Sequence, residues 1–273
     1  MIVVSQALVL ALAAAAQDGD LPIIGWQNLA TVANLTADTE DTSYPDSNLA
    51  NPSTAEKWVA ADNSEQYVTV IINSVEEIDY LGIVGHNLGS AGIEASVEGQ
   101  ATSAAAFAEL AGSVLLANDD PLLFRFEPQS LYAIRLRMRA GDAAPEAAVL
   151  YTGKLLVMER GLSIEGDFTP ISFGAVPNIV TGVSETGNFL GRIVLGETSF
   201  SEAMFRWLAP DWYRENFEPF AETAKQAPFF FAWAPESYPR DIGFCWSADG
   251  RPIPKIDPVT RRMHVDLKMA GIA

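Results

Sequence analysis

The chain has 273 residues and a net charge of −18, from 35 acidic and 17 basic residues. Binding to the phosphates of duplex DNA requires clustered Lys and Arg, so this balance argues against sequence-specific nucleic-acid binding. The single cysteine, Cys245, excludes an internal disulfide. Charged residues make up only 19% of the chain, which is low for a soluble monomer and predicts a surface partly buried against partners.

Residues 1–16 form an apolar stretch, MIVVSQALVLALAAAA. It has no Lys or Arg before the apolar run, which disfavours a secretory signal peptide, and it is short for a membrane span. We expect a strand over residues 2–4, followed by an Ala/Leu-rich helix or a second strand packed on the fold. A targeting peptide is the alternative.

The next 140 or so residues predict a strand-rich domain behind a long irregular segment. Residues 18–65 are rich in Asp, Asn, Thr, Ser and Pro, and Trp26 and Trp58 are expected to anchor them. The nearly continuous apolar run at 78–85 predicts a strand buried on both faces. Half-buried or short strands are predicted at 67–73, 93–98, 122–126, 132–139 and 154–158.

Two features of this region leave alternatives open. The Ala-rich segment 102–116 is either a short helix or a loop. Arg135, Arg137 and Arg139 alternate along a predicted strand, which favours its solvated or edge face over a nucleic-acid site.

A domain boundary is predicted at residues 160–162, and a hairpin follows it. Residues 178–183 and 189–195 flank a Ser-Glu-Thr-Gly-Asn turn in which Gly187 can take a positive φ. A further strand is expected at 200–208. Aromatic residues at helical spacing follow, and Pro219 divides them into two short helices. Aromatic strands at 228–235, 243–247 and 263–272 end the chain.

No catalytic or metal-binding motif is present in the sequence. It lacks a G-x-S-x-G elbow, a P-loop and an H-E-x-x-H helix. His86 and His264 have no second His or Cys at ligand spacing. We therefore predict no metal, no cofactor and no enzymatic activity. His86 is interpreted as a hydrogen-bonded structural histidine or a ligand contact, and Cys245 as a small buried hydrophobe.

The first part of the chain resembles the galactose-binding-like jelly-roll domains, in particular the variant of tailed-phage tail proteins. The resemblance covers roughly residues 20–158. It rests on the ordered segments YPDSNL (44–49), STAEKW (53–58), VTV (68–70) and IDYLGIVGHNL (78–88). In carbohydrate-binding members, loops at one end of the sandwich hold the sugar. The matching loop residues here are Trp26, Trp58, His86 and Asn87; alternatively, both tryptophans are core anchors under long loops.

The second part, roughly residues 161–273, resembles the C-terminal portion of phage tail-tip proteins of the distal-tail type. The resemblance rests on the hairpin and on the three aromatic strands at the end of the chain. It implies a ring-forming belt between the tail tube and the host-facing tip. Distal-tail proteins commonly place the belt first, whereas here the jelly roll comes first. The resemblance therefore implies either a distal-tail protein or a neighbouring minor tail component.

Together these patterns predict a mainly β protein with two domains. Residues 1–160 form a galactose-binding-like sandwich, with 1–17 as an apolar arm, and residues 161–273 form a small β-barrel or sandwich belt with short helices. We expect a structural subunit of a phage or gene-transfer-particle tail tip, made in the bacterial host cytoplasm. The residues expected to pack and assemble it are Phe229, Phe231, Trp233, Phe244 and Trp246.

The expected partners are identical subunits in a ring, the tail tube, and tail hub or fibre proteins. No membrane insertion is expected. The alternative is a carbohydrate-binding module for adsorption to host glycans, which would use Trp58, His86 and Asn87. A third hypothesis, a secreted glycoside-active enzyme, needs two facing carboxylates, and the sequence does not locate such a pair.

Overall fold

The computed structural model describes residues 1–73, 76–163 and 167–273. Its strands are β1 Ile2–Val4, β2 Ile23–Gly25, β3 Leu35–Ala37, β4 Trp58–Val59, β5 Gln66–Ile71, β6 Glu77–Val84, β7 Glu94–Gln100, β8 Ala108–Leu115, β9 Leu122–Ser130, β10 Ala133–Met138, β11 Glu146–Ala147, β12 Val149–Gly153, β13 Leu156–Val157, β14 Ala175–Val183, β15 Phe189–Leu208, β16 Phe229–Ala232, β17 Ile242–Ser247, β18 Lys255–Ile256 and β19 Met263–Ile272. The predicted mainly β class is confirmed.

Helical segments are few and short among these residues. They are α1 Gln6–Ala14, α2 Pro210–Trp212, α3 Glu218–Thr223, a π-helical turn Tyr213–Phe217, and 3₁₀ turns Asp46–Ala50 and Ile171–Phe173. Helical residues run without a break from Pro210 to Thr223, and the π-helical turn ends at Phe217, just before Pro219. The prediction that Pro219 divides the aromatic stretch into two separate helices is therefore wrong: the chain keeps one helical path and widens it at a π-helical turn.

The first half of the chain folds as a jelly-roll β-sandwich of two sheets. The outer sheet has the strand order β3-β5-β10-β7-β8 and is antiparallel. The middle sheet has the order β1-β9-β6-β12, with only the β1–β9 pair parallel. Apolar side chains from both sheets, such as Val70, Leu136, Ile83 and Phe124, fill the core between them. The predicted sandwich is confirmed.

A third sheet covers the opposite face of the middle sheet. Its order is β13-β2-β16-β17-β19-β15-β14, and β18 pairs with β19. A second core between these two sheets contains Tyr80, Tyr151, Phe230 and Phe244. Residues from Ile78 to Val84 in β6 are all buried, because β6 is covered on both of its faces. This is the strand that the continuous apolar run predicts.

The helical segments form the last layer. A third core holds Tyr213, Phe217 and Phe220 against Phe229 and Phe231 of the third sheet. The polypeptide is thus a stack of outer sheet, middle sheet, third sheet and helices. Successive residues of β16 point to opposite faces, so Phe230 enters one core while Phe229 and Phe231 enter the other.

The N-terminal segment is a strand followed by a helix. β1 pairs with β9, and the backbone N–H of Leu8 donates a 3.1 Å hydrogen bond to Ser5 Oγ, which caps α1. Only Leu8 of α1 is buried. The first of the two predicted arrangements is therefore confirmed.

Three details differ from the sequence analysis or qualify it. The Ala-rich segment 102–116 is not a helix: residues 102–107 are irregular, and residues 108–115 form β8, which pairs with β7 at the edge of the outer sheet. The arginines of β10 lie on a solvated face of a central strand, between β5 and β7, and not on an edge. The division at residues 160/161 stays a prediction, and two strands that precede it, β2 and β13, pair within the third sheet.

Candidate functional site

Trp58 lies inside the first core and is not available for stacking on a sugar. Its side chain is fully buried, and its Nε1 donates a 3.0 Å hydrogen bond to the carbonyl oxygen of Thr39. Trp26 is half-buried and packs near Phe220, with 6.4 Å between the ring centroids. Trp58 is therefore a core anchor for the long irregular segment, and the hypothesis that its ring contacts a sugar is wrong; for the half-buried Trp26 the sugar-site hypothesis stays a prediction.

His86 and Asn87 hold the backbone at the end of β6. The N–H of Leu88 donates to His86 Nδ1 at 3.3 Å, and the ring is only 3% exposed. Asn87 Nδ2 donates to the carbonyl of Ala144 at 2.8 Å, while its Oδ1 accepts from the N–H of Glu146 at 3.0 Å. Both side chains make hydrogen bonds within the local structure, while His86 Nε2 is buried without a hydrogen-bond partner. That His86 and Asn87 contact a ligand stays a prediction.

A different polar cleft lies at one end of the first sandwich. Its volume is about 320 Å³, and Asn73, Thr102, Ser103, Ser130 and Tyr132 contribute to its lining. Hydroxyl and amide groups beside one half-exposed aromatic ring are suited to a saccharide. The sequence analysis did not single out this cleft, because its residues come from three separate connections.

The three phenylalanines predicted to hold sister copies are sealed inside this chain. Phe229 is 0% exposed, and Phe231 and Phe244 are each 1% exposed. They fill the cores on the two faces of the third sheet, which uses up their apolar surface. Their predicted packing role holds within the chain, but their predicted contact with another subunit is wrong.

The two tryptophans of this predicted set are partly accessible. Trp233 is half-buried, stacks on Tyr238 with 4.8 Å between ring centroids, and donates from Nε1 to Asp241 Oδ2 at 3.0 Å. Trp246 is 42% exposed. Of the five residues predicted to pack and assemble the chain, only Trp246 therefore offers a broad aromatic surface to a partner.

A long run of exposed apolar side chains lies instead on the hairpin, by which we mean residues 175–195. Every residue of β14 is exposed. β14 pairs with β15, and apart from Ser199 its partners in β15 lie beyond the residues that pair with β19. The strand register places Ile179 opposite Val194, and Val180 opposite Ile193 on the other face. The ribbon is thus apolar on both faces. Its exposed apolar residues include Val176, Ile179, Val180, Val183, Phe189, Leu190, Ile193, Val194 and Leu195.

The sequence indicates the hairpin but not its exposure. Gly187 has φ of 83° at the turn, as the prediction requires. A signal was present in the consecutive apolar residues 193–195, which do not alternate as they would in a strand with one buried face. Such a pattern reads equally well as a strand buried within the chain, so the structure is needed to distinguish the two.

Buried ionisable groups lie away from the hairpin. Burial raises the pKa of Asp79 to about 6, although a 2.7 Å hydrogen bond from the N–H of Leu155 and nearby Arg125 oppose the shift. Burial also lowers the pKa of His86 to about 4, against the attraction of Asp119. The Cys245 thiol is fully buried, which raises its pKa and fits the predicted role of a small hydrophobe.

Within the described ranges, no group of three or more His, Cys, Asp or Glu side chains is placed to hold a metal ion. In the same part of the chain, none of the helices has the length and apolar character needed to cross a bilayer.

Comparison with known proteins finds likeness at the level of solved structures. No family model and no curated relative matches the chain. Chitosan-binding module 1 of the chitosanase/glucanase from Paenibacillus sp. IK-5 is 12% identical, with a TM-score of 0.41, covering 46% of this chain and 98% of that one. A CBM32 of AlyQ in complex with 4,5-unsaturated mannuronic acid is 16% identical, with a TM-score of 0.38, covering 46% and 95%.

The module CpGH89CBM32-5 from Clostridium perfringens, in complex with GalNAc-β-1,3-galactose, is 14% identical, with a TM-score of 0.40, covering 46% of this chain and 99% of that one. These neighbours are carbohydrate-binding modules. At such scores, the fold of this chain rests on its own strand pairing.

Proposed function

We propose that this chain is a structural, non-catalytic subunit that assembles with copies of itself into a closed ring. We further propose that the ring belongs to the tail tip of a tailed bacteriophage or a related gene-transfer particle. The hairpin carries the first part of the proposal, because a long apolar ribbon open on both faces is a typical association surface. The resemblance of residues 161–273 to distal-tail proteins supports the second part.

The hairpin is large enough to support a specific interface. β14 has nine residues, which at about 3.3 Å per residue gives a ribbon roughly 30 Å long. With a width of about 10 Å for two strands, each face offers about 300 Å². Covering both faces removes about 600 Å² from the hairpin and a similar area from its partner. The total of about 1,200 Å² reaches the range of specific protein interfaces.

The charge distribution also favours contact through the hairpin. Copies that each carry a net charge of −18 repel one another, so their contact surfaces should be locally neutral. The hairpin contains one acidic residue, Glu185, and one basic residue, Arg192. A surface that binds a different surface of the next copy generates a ring when the rotation closes.

A single charge in the hairpin tests this proposal. We expect Val180→Asp to weaken self-association at least tenfold, because it buries a carboxylate in an apolar contact. The matched control is Val32→Asp, which makes the same change at an exposed valine outside the hairpin. Sedimentation velocity over a concentration series measures both. Equal association of the two variants would contradict the proposal.

Carbohydrate binding by the first sandwich is the second candidate function, and the polar cleft near Tyr132 is the observation that favours it. A glycan array with the full chain tests it, using Tyr132→Ala and a control, Tyr44→Ala, which changes an exposed tyrosine elsewhere. If the role is structural alone, no saccharide is retained by any of the three proteins. Saccharide binding that is lost only in Tyr132→Ala would establish the second candidate.

A further inference from the structure

A groove lined by both apolar and charged side chains lies under α1. It has a volume of about 580 Å³ and lies between α1, β9 and β13. Leu8, Ala11, Leu12 and Ala15 form one wall, and Phe126 and Leu155 contribute to the other. We call this cavity the α1 groove. Its size is sufficient for several side chains of a docking segment.

The helix that forms the groove lacks the charged face of an ordinary surface helix. α1 contains no charged residue, yet only Leu8 is buried, while Val9 and Leu10 are 44% and 63% exposed. A helix that is apolar all round is normally covered by other protein. The helix and its groove therefore form a second unpartnered apolar surface, in addition to the hairpin.

The groove and the hairpin lie at opposite edges of the third sheet. Leu156 and Val157 of β13, one edge strand, line the groove, whereas the hairpin extends from β15 at the other edge. A surface at one edge that binds a surface at the opposite edge is a heterologous contact, which can close into a ring. Two such surfaces on one chain are what a head-to-tail ring requires.

The charges of the two surfaces are compatible with this contact. The groove lining includes Arg125 and Lys154 together with Asp79 and Glu127, so positive and negative groups balance. The tip of the hairpin presents Val183, Phe189 and Leu190, which are 59–69% exposed. The exposed apolar side chains of the tip thus meet the apolar wall that α1 contributes to a groove whose charged groups balance, so neither surface concentrates the excess negative charge of the chain.

From these observations we infer that the hairpin tip of one copy docks in the α1 groove of the next copy. The inference rests on the proposed function, since it names the surface that receives the hairpin. It commits the assembly to a heterologous contact, in which each copy uses two different surfaces. Hairpin-to-hairpin pairing, by contrast, would leave the groove unused.

A pair of helix variants tests the docking surface. Ala11→Glu places a charged side chain in the groove, while Ala13→Glu makes the same change at an exposed position of α1 that does not line it. We expect Ala11→Glu to raise the concentration for half-assembly at least tenfold and Ala13→Glu to leave it within twofold of the parent. Circular dichroism checks that both fold, and Ala15→Glu replaces Ala11→Glu if that variant does not.

A mixing experiment distinguishes the heterologous contact from its alternatives. Phe189→Asp disables the tip, and Ala11→Glu disables the groove. Each variant alone should be monomeric, whereas an equimolar mixture should give a capped dimer through its one intact tip and one intact groove. If Ala11→Glu assembles like the parent while Phe189→Asp does not, the groove inference is overturned and the proposed function stands. A parent chain that is monomeric at every concentration would overturn the proposed function itself.

Discussion

Replacing Phe230 with Ala should lower the free energy of unfolding by about 3–5 kcal/mol, the usual cost of truncating a fully buried phenylalanine. Phe230 lies between the middle and third sheets, with its ring centroid 6.0 Å from that of Tyr151 and 5.1 Å from that of Phe244. Its ring also packs so closely over Gly82 that an added Cβ there would lie 2.7 Å from it. The cavity left by the substitution cannot collapse without moving two sheets.

The position of Phe230 gives this prediction a second consequence. Because the ring joins the two halves of the chain, its loss should also make them unfold in less coincident transitions. Urea unfolding followed by tryptophan fluorescence and by far-ultraviolet circular dichroism measures both effects. Phe173→Ala is the control, since Phe173 is 75% exposed and its loss should change the free energy of unfolding by about 0.5 kcal/mol or less. A cost below about 1 kcal/mol for Phe230→Ala would contradict the layered core.

The second large effect concerns pH and the buried carboxyl of Asp79. Its pKa is about 6 in the folded chain, compared with an ordinary value of 3.8. The folded state therefore holds this proton more tightly, so the free energy of unfolding falls as pH rises from about 4 to about 6. The difference of about two pKa units between the folded and the ordinary value corresponds to about 3 kcal/mol in the free energy of unfolding. Asp79→Asn removes this pH-dependent contribution. The free energy of unfolding of the variant, relative to that of the parent, should therefore rise by about 3 kcal/mol between pH 4 and pH 7.

His86 contributes with the opposite sign. Its pKa falls from an ordinary 6.5 to about 4 on folding. The unfolded chain therefore binds the proton more tightly, and stability is lost as pH falls from about 6.5 to about 4. The free energy of unfolding lost over this pH range is again about 3 kcal/mol. The stability of His86→Gln relative to the parent should increase as the pH falls, whereas that of Asp79→Asn should increase as the pH rises.

Difference curves separate these groups from all others that titrate. For each variant, the free energy of unfolding of the parent is subtracted from that of the variant at intervals from pH 4 to pH 7. The difference leaves the pH-dependent contribution of the substituted group and a constant offset. Two slopes of opposite sign are expected. A flat difference curve for Asp79→Asn would show that this carboxyl does not have the raised pKa that its burial implies.

Local patterns predicted the elements whose surroundings are uniform along their length. The continuous apolar run of β6 indicated a strand covered on both faces, and the alternation in β10 indicated a half-buried one. The turn at Gly187 was predicted because few residues other than glycine adopt its positive φ readily. In each case a short stretch of sequence contained the whole physical cause.

Features decided by distant segments could not be predicted in this way. β8 is a strand because β7 lies beside it, although its Ala-rich sequence has no strong strand preference. β2 pairs with β16 in the third sheet although the two strands are far apart along the chain, and β13 in turn pairs with β2. The aromatic residues of β16 alternate between two cores, and the sequence did not show that helices of the same chain cover one face of this strand.

The candidate site was predicted less well than the fold. Trp58 and Phe231 were singled out because large aromatic rings serve both cores and interfaces, and the structure places both in cores. Exposure depends on what else packs nearby, which is a property of the complete fold. The hairpin and α1 are apolar and uncovered for this reason, and only the folded chain distinguishes them from the buried strands.

Native mass spectrometry of the unmodified chain, with a concentration series by light scattering, tests self-assembly most directly. A closed ring held by the hairpin should give one discrete mass, an integral multiple of 29.4 kDa, that does not increase further with concentration. A species of 29.4 kDa at every concentration would show that the exposed ribbon is not a contact between copies, and would contradict the proposed role.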